Sequence, residues 1–447
     1  MFWQVEGGVK FDMVKENTKK FNVNYSWVIF GLSFLMVATS LGLCSSGRNL
    51  YLKAITDALN IPRSAFSVTN TLRYFTTTAV NLFFGKLVYR FGTKKLICAG
   101  FICLICFALI NSFATNLFVF YLGSLFLGIG ISWTGTTMAS AIVNRWCKSN
   151  KGTLTGAILA ANGIGGAIAV QIISPIIFQE GNPFGYRTSY RMVSIILAIM
   201  LLLIILLYRE KPKDGNITES IPSKKRKARG TGWVGMDYAT AIKKSYFYLA
   251  ILCMFFTGMA LQGLGGISFP HMYDVGINVA FVATISSVSS ILLTFSKFST
   301  GFMYDKLGMR ISMNICFFCA FISIAGLILI TNTPLGHIIA FIRGIFSSFA
   351  LPLETVMLPL FAMELFGNKD YEKFVGIFAS ASTAGFAIGS PFGNICYDLL
   401  GNYNLAFYVF GAMLIFITVS MQYVLSAANR NRKAIERAEN IQDIASV

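Results

Sequence analysis

Twelve apolar stretches of membrane-spanning length alternate with shorter polar segments along the 447-residue chain. A helix needs about 20 predominantly apolar residues to cross a bilayer. We predict membrane helices at residues 25–50, 65–88, 95–115, 117–142, 152–178, 189–208, 245–269, 280–303, 311–332, 335–363, 374–399 and 404–426. The first stretch is too long for a cleavable signal peptide. The pattern therefore predicts an all-α membrane protein with twelve transmembrane helices.

Composition and charge agree with this class. The chain is 55% hydrophobic and 13% charged, which is too apolar for a soluble protein. The formal net charge of +18 invites a nucleic-acid interpretation, but its distribution does not fit one. If the odd-numbered helices run outward, the inner side of the membrane carries most of the basic residues. These are Arg90, Lys94, Lys95, Arg145, Lys148, Lys151, Lys306, Arg310 and ten Lys or Arg residues of segment 209–244. The outer side carries mainly Lys53, Arg63, Arg187 and Arg191. Such asymmetry marks the cytoplasmic side.

We therefore expect a multi-pass protein of the plasma membrane with both terminal tails, 1–24 and 427–447, in the cytoplasm. The basic side is expected to contact anionic lipids rather than nucleic acid. We also expect a monomer.

A loop sequence occurs twice, at the ends of the second and eighth predicted helices. It begins at Gly85 and again at Gly301, 216 positions later, which is about half the chain. This repeat predicts two pseudo-symmetric six-helix bundles, residues 25–208 and 245–426, joined by the basic cytoplasmic linker 209–244. The second copy contains Asp305, where the first has Tyr89. The expected gating residues are Gly85, Arg90, Gly92, Gly301, Asp305, Lys306, Gly308 and Arg310.

The two loops resemble the signature that follows the second and eighth helices of major facilitator superfamily transporters. That resemblance implies a central site between two bundles that rock to expose it to each side in turn. Other residues resemble the oxalate/formate antiporter and monocarboxylate transporter branches, namely Trp146 followed by Gly152 and Gly156, and the Gly185-Tyr186-Arg187 triplet.

Charged residues inside predicted membrane helices are costly and tend to face a cavity or a partner. The candidates for substrate binding are Lys297, Arg73, Arg48 and Arg343, and Glu354 is the candidate for proton coupling. Four cations against one anion favour an anionic substrate. Ser290, Thr294 and Lys297 share one helix face, which we expect to line the cavity while Leu292, Leu293 and Phe295 pack elsewhere.

The branch resemblance places Lys297 where those families have a substrate-binding arginine. Two positions depart from the pattern. The acid of proton-linked monocarboxylate carriers would fall at Leu293, and the lysine of oxalate/formate exchangers near Ala384.

The sequence thus predicts a secondary transporter of a small organic anion, most simply a monocarboxylate. The choice between anion exchange and proton symport stays open. The alternatives are an amino-acid or drug transporter of the same superfamily, or a non-transporting membrane sensor of the same fold. We expect no enzyme activity and no cofactor, because no nucleophile–base pair is evident. Neither the Cys103/Cys106 nor the Cys316/Cys319 pair has a nearby histidine, so we expect no metal site either.

Overall fold

A computed structural model of the protein describes residues 25–46, 48–61, 63–147, 150–177, 184–210 and 235–445. All regular elements of this part are helical. They are α1 (Tyr25–Val37), a π-helical segment (Ala38–Ser46), α2 (Arg48–Leu59), α3 (Arg63–Leu82), α4 (Phe84–Ser112), α5 (Leu117–Thr134), α6 (Thr136–Trp146), α7 (Lys151–Ile177), α8 (Gly185–Leu207), α9 (Tyr238–Ala241), α10 (Ser245–Asp274), α11 (Val279–Leu307), α12 (Met309–Leu329), α13 (Pro334–Ala350), α14 (Pro352–Thr355), α15 (Met357–Phe366), α16 (Tyr371–Leu400) and α17 (Asn404–Ala445).

Ten of the described helical stretches are long and apolar enough to cross a membrane. The second and eighth predicted spans, represented by α3 and α11, are more polar and carry Arg73 and Lys297. With these two, the helices account for the twelve predicted spans and confirm the predicted fold class. The more polar pair occupies equivalent places in the two halves, as expected of helices that face a shared cavity rather than lipid.

Several boundaries differ from the predicted ones. The first span ends with a π-helical segment at Ser46, and α2 follows as a separate helix that the apolar pattern did not resolve. The end of the linker is packed on the second half, since the Met236 N–H donates to the Phe366 carbonyl at 2.9 Å. The last helix continues to Ala445, well beyond the predicted span.

The repeat appears in the backbone as well as in the sequence. Gly92 and Gly308, again 216 positions apart, turn the chain with φ of 79° and 83°. These values lie in a region that favours glycine, so both loops depend on the same residue type. The two copies of the loop sequence thus share this turn.

Helix packing repeats with the same offset. A Cβ atom at Gly42 would lie 2.7 Å from the Gly166 nitrogen, and one at Gly258 would lie 2.2 Å from the Ser382 carbonyl oxygen. Gly42 and Gly258 are 216 positions apart, and so are their contact partners Gly166 and Ser382. Small residues let these helices approach backbone to backbone, which is how helices associate in lipid.

The fourth and tenth spans are both interrupted near their middle. Gly135 separates α5 from α6, and Leu351 separates α13 from α14; these residues too are 216 positions apart. Pro352 contributes to the second interruption because it has no N–H to continue the helix. Glu354 lies in the short α14 segment, so the interruption places a carboxylate at mid-span.

Candidate functional site

A cavity of about 250 Å³ lies between the two halves. The first half contributes Arg73, and the second contributes Lys297 and Glu354. The other polar side chains that line it are those of Ser45, Tyr74, Thr77, Asn81, Ser132, Thr136, Thr137, Asn162, Gln262, Thr355, Ser382 and Thr383. Three of the five charged residues predicted for the site are thus brought together, two of them cationic and one acidic.

Lys297 projects into this cavity from α11. Its side chain is 5% exposed, although it lies only four residues before Gly301, where the repeated loop sequence begins. A Cβ atom at Gly156 would lie 2.5 Å from the Lys297 carbonyl oxygen, so α7 and α11 approach closely here. Within the described part of the chain, the ammonium group makes no hydrogen bond and no ion pair. The Glu354 carboxylate interacts with it electrostatically, but a buried ammonium group that makes no hydrogen bond leaves room for an anionic ligand.

Glu354 is held by an amide on the neighbouring span. Gln262 Nε2 of α10 donates to Glu354 Oε1 at 2.5 Å, and the side chain of Glu354 is buried. Its Oε2 atom has no partner in the described structure, and neither do the hydroxyl oxygens of Thr355 and Ser382. Buried polar atoms normally have partners, so these three atoms mark places where a ligand or water can bind.

Arg73 is anchored to the first span. Its Nη1 donates to Ser45 Oγ at 2.8 Å, and its guanidinium group lies 4.4 Å from the centre of the Tyr74 ring. Ser45 belongs to the π-helical segment and also lines the cavity. Arg73 therefore presents a fixed positive charge from the first half.

The two other predicted cations are placed differently. Arg343 lines a second cavity inside the second half, separated from the central one by Leu293 and Leu351, which line both. Arg48 begins α2, and its side chain lies outside the described residues. The central site as described therefore does not include either arginine.

The serine-rich face of α11 was predicted incorrectly. Leu293 lines the central cavity beside Lys297, whereas Ser290 lines the second cavity. Thr294 faces α7, where a Cβ atom at Gly163 would lie 1.8 Å from its hydroxyl oxygen. Leu293 and Ser290, four and seven residues before Lys297, both lie on its side of the helix. Ser290 is about 10 Å farther along the helix axis, at the level of the second cavity. The hydroxyls of Ser290 and Thr294 bond to their own helix and need no aqueous surface.

Asp305 closes the end of the molecule that carries the repeated loops, which we call the latch face. Its carboxylate accepts from the Gly152 N–H at 3.1 Å, the Thr153 N–H at 2.7 Å and the Thr153 hydroxyl at 2.6 Å. These donors belong to the first turn of α7 in the other half. A carboxylate at a helix N-terminus is favoured by the free N–H groups and the helix dipole. Asp305 thus links the two halves.

Further contacts between the halves lie at the same face. Arg145 Nε pairs with Glu372 Oε1 at 2.8 Å, and Lys151 Nζ donates to Asn368 Oδ1 at 3.2 Å. The glycines of the loops permit close approach: a Cβ atom at Gly301 would lie 2.1 Å from the Gly152 carbonyl oxygen. The described structure is therefore closed at the latch face.

The first copy of the loop makes a weaker connection. Tyr89, which replaces the aspartate, is 91% exposed. Gly85 still packs against the second half, since its Cβ atom would lie 2.5 Å from the Lys373 Cα atom. Arg90 lies over the Phe91 ring at 5.4 Å. The two loops thus differ in their contacts with the opposite half.

The last basic residue of each loop ties it to its own half. Lys94 Nζ donates to the Ile205 carbonyl at 2.8 Å, and Arg310 Nη2 donates to Ser426 Oγ at 2.6 Å. Lys306 lies 4.3 Å from the Phe302 ring centre. These residues brace the loops rather than join the halves.

Sequence reasoning missed several cavity residues, among them Gln262 and Asn81. Asn81 is the counterpart of Lys297 at the 216-position offset, and it accepts from Ser132 Oγ at 2.5 Å. Applying the offset to Lys297 would have identified it. Gln262 gives no comparable signal, because its role depends on a contact with a residue 92 positions away.

Comparisons with known proteins agree with this architecture. Residues 27–362 match the model of the Major Facilitator Superfamily. The chain is 23% identical to the uncharacterized MFS-type transporter YcxA of Bacillus subtilis, over 93% of this chain and 98% of YcxA. It is 20% identical to the sialic acid transporter NanX of Escherichia coli, over 77% of this chain and 78% of NanX.

A solved structure gives the same fold. The E. coli fucose:proton symporter FucP matches with a TM-score of 0.66 and 15% identity, over 90% of this chain and 99% of that one. Since the family model covers most of the chain and two bundles enclose a central cavity, the protein belongs to the Major Facilitator Superfamily of membrane transporters.

Proposed function

We propose that this transporter carries a small organic anion, most simply a monocarboxylate, by alternating access. The observation that carries the proposal is the buried Lys297 ammonium, which lines the central cavity and makes no hydrogen bond or close ion pair with the described residues. An anion entering the cavity could accept hydrogen bonds from it. Arg73 would attract it from the opposite wall.

The balance of charge supports this choice. Two cations and one carboxylate line the cavity, and a protonated Glu354 would leave both cations uncompensated. A cavity with excess positive charge attracts anions and repels cations. The relative NanX is named for sialic acid, which is itself a carboxylic acid. This agrees with a carboxylate as the recognised group.

We further propose kinship with the oxalate/formate and monocarboxylate branches, on the strength of Lys297 and the loop motifs. Lysine retains the charge of the arginine that those families use, but it lacks the planar guanidinium group that can donate two parallel hydrogen bonds to a carboxylate. Leu293 stands where monocarboxylate carriers have an acid, and Ala384 lies near the position where oxalate exchangers have a lysine, so neither residue supplies the charge of those branches. With Glu354 ionised, Arg73 and Lys297 leave the cavity one net positive charge, which suits a single carboxylate.

The direct test is thermal unfolding of the purified protein with lactate, pyruvate, formate, oxalate and common amino acids. We expect stabilisation by at least one monocarboxylate, because a ligand that binds only the folded state raises the unfolding midpoint. Counterflow of the labelled compound in proteoliposomes should follow. Binding without flux would favour a sensor, and stabilisation by no anion would contradict the proposal.

A neutral sugar is the second candidate. Asn81, Asn162 and Gln262 supply amide groups to the cavity, and hydroxyl-bearing side chains surround them. Such groups bind sugar hydroxyls. Including fucose and xylose in the thermal screen distinguishes the two, since a sugar site should respond to them in Lys297→Gln as well as in the wild type.

Glu354 is proposed to carry a proton during transport. Removing its charge by Glu354→Gln keeps the bond to Gln262 possible but prevents protonation. We expect uptake driven by an inward proton gradient to fall at least tenfold, while exchange of substrate for substrate continues. Uptake into proteoliposomes with and without the gradient measures both.

The control is Glu364→Gln. Glu364 lies outside the cavity, and its carboxylate accepts a hydrogen bond from Tyr304. A variant that still responds fully to the gradient would exclude Glu354.

The latch face is proposed to be cytoplasmic, in a multi-pass protein of the plasma membrane with both termini inside. A cysteine at the exposed Tyr89 position should resist a membrane-impermeant maleimide in intact cells and react in inverted vesicles. Asn332→Cys, in the exposed turn between α12 and α13, should behave in the opposite way. Labelling of Tyr89→Cys from outside would invert the topology.

A further inference from the structure

The cavity that contains Arg343 lies wholly within the second half. Its volume is about 190 Å³, and residues of α10, α11, α12 and α13 line it. Leu293 and Leu351 line both this cavity and the central one. The two cavities therefore adjoin at these leucines, and the Arg343 cavity lies beside the proposed substrate site.

Arg343 is the charged group of this compartment. Its side chain is 4% exposed, and its Nε atom has no hydrogen-bond partner in the described part of the chain. Among the described residues, no carboxylate lies within ion-pair distance of the guanidinium group. A buried charge without a counter-charge is strongly unfavourable. The guanidinium group therefore needs a negatively charged partner, which the described residues do not supply.

Two serines complete a polar wall. Ser286 and Ser323 line the same cavity, and in the described structure their hydroxyls donate to no other group. A serine hydroxyl can rotate to donate to a ligand. Together with the guanidinium N–H groups, these hydroxyls can surround a small anion.

The first half provides an internal comparison. Phe107 and Leu127 lie 216 positions before Ser323 and Arg343, so they are the counterparts of these two residues in the first half. Phe107 and Leu127 line a cavity of only about 30 Å³. The duplicated scaffold can thus be filled with apolar side chains at this place. In the second half the same place holds a small hydroxyl, a cation and open space.

We propose that the Arg343 cavity binds a small monovalent inorganic anion, of the chloride or nitrate class. One buried cation balances one negative charge, and the compartment has no second cation for a divalent ion among its described lining residues. The proposal does not depend on the identity of the transported substrate. Because Leu351 is both a wall of this cavity and the interruption of the tenth span, the bound ion would stabilise that part of the fold.

The test uses the purified full-length protein in sodium gluconate, exchanged for sodium chloride or sodium nitrate at constant ionic strength. We expect chloride or nitrate to raise the unfolding midpoint by at least about 2 °C in the wild type. Lys297→Gln should keep the shift, and Arg343→Gln should lose it. If Lys297→Gln loses the shift instead, the ion binds in the central cavity. That result would overturn the Arg343 site and would still agree with the proposed substrate site.

A second variant keeps the test decisive if Arg343→Gln does not fold. Ser323→Phe copies the first half, retains the arginine and fills the space. It should abolish the response to chloride and nitrate. A shift that persists in Ser323→Phe would mean that salt acts elsewhere, and the site would be rejected. Absence of any shift in the wild type would reject it as well.

Discussion

Replacing Lys297 with alanine is expected to abolish anion transport while the protein still folds and inserts. The ammonium group is buried and lines the central cavity, and it makes no hydrogen bond or close ion pair with the described residues. Glu354, which interacts with it electrostatically, would keep its hydrogen bond to Gln262, so the fold should tolerate the change. Losing a charge-assisted hydrogen bond to the substrate costs about 1.5–3 kcal/mol, or about ten- to a hundredfold in affinity.

Three variants and two measurements separate charge from structure. Lys297→Arg should retain part of the activity, because it keeps the charge in a larger group. Lys433→Ala removes an exposed lysine of α17 and should behave as the wild type. Unfolding midpoints with and without substrate measure binding, and counterflow measures transport. If Lys297→Gln binds and transports every tested anion as the wild type does, the proposed site is wrong.

The sequence was most informative where the duplication repeats a local requirement. The positive φ at Gly92 and Gly308 and the contacts of Gly42 and Gly258 follow from residue types that recur at one offset. The lengths of the apolar stretches predicted the twelve spans, because whether a segment can cross a bilayer depends on that segment by itself. The fold class could therefore be predicted from local signals.

The site was less predictable because it depends on which helix faces meet. Counting charges identified Arg73, Lys297 and Glu354, yet it gave Arg343 the same weight, although two leucines separate it from the central cavity. A hydroxyl-rich helix face looked like a cavity wall, but helical serines can satisfy themselves on their own backbone. The bond of Gln262 to Glu354 requires the tertiary structure.

Asp305→Asn is expected to slow transport at least tenfold while the equilibrium affinity for substrate changes less than threefold. The carboxylate accepts three hydrogen bonds from Gly152 and Thr153 at the start of α7, in the opposite half. Asparagine loses the charge and one acceptor oxygen, and with them the favourable interaction with the helix N-terminus. The substrate cavity itself does not contain Asp305.

The weakened latch should favour states that open at this face. A loss of about 1.5–3 kcal/mol would shift that equilibrium about ten- to a hundredfold. A cysteine at the cavity position Ser382 should then react faster with maleimide added to inverted vesicles. Asp237→Asn, which removes an aspartate whose pair with Lys369 is about half exposed, should leave both rates unchanged, since exposed pairs contribute little. Equal losses of binding and transport in Asp305→Asn would instead assign this aspartate to the binding site or to folding, because a latch acts on the exchange between states and not on the contacts made by the bound substrate.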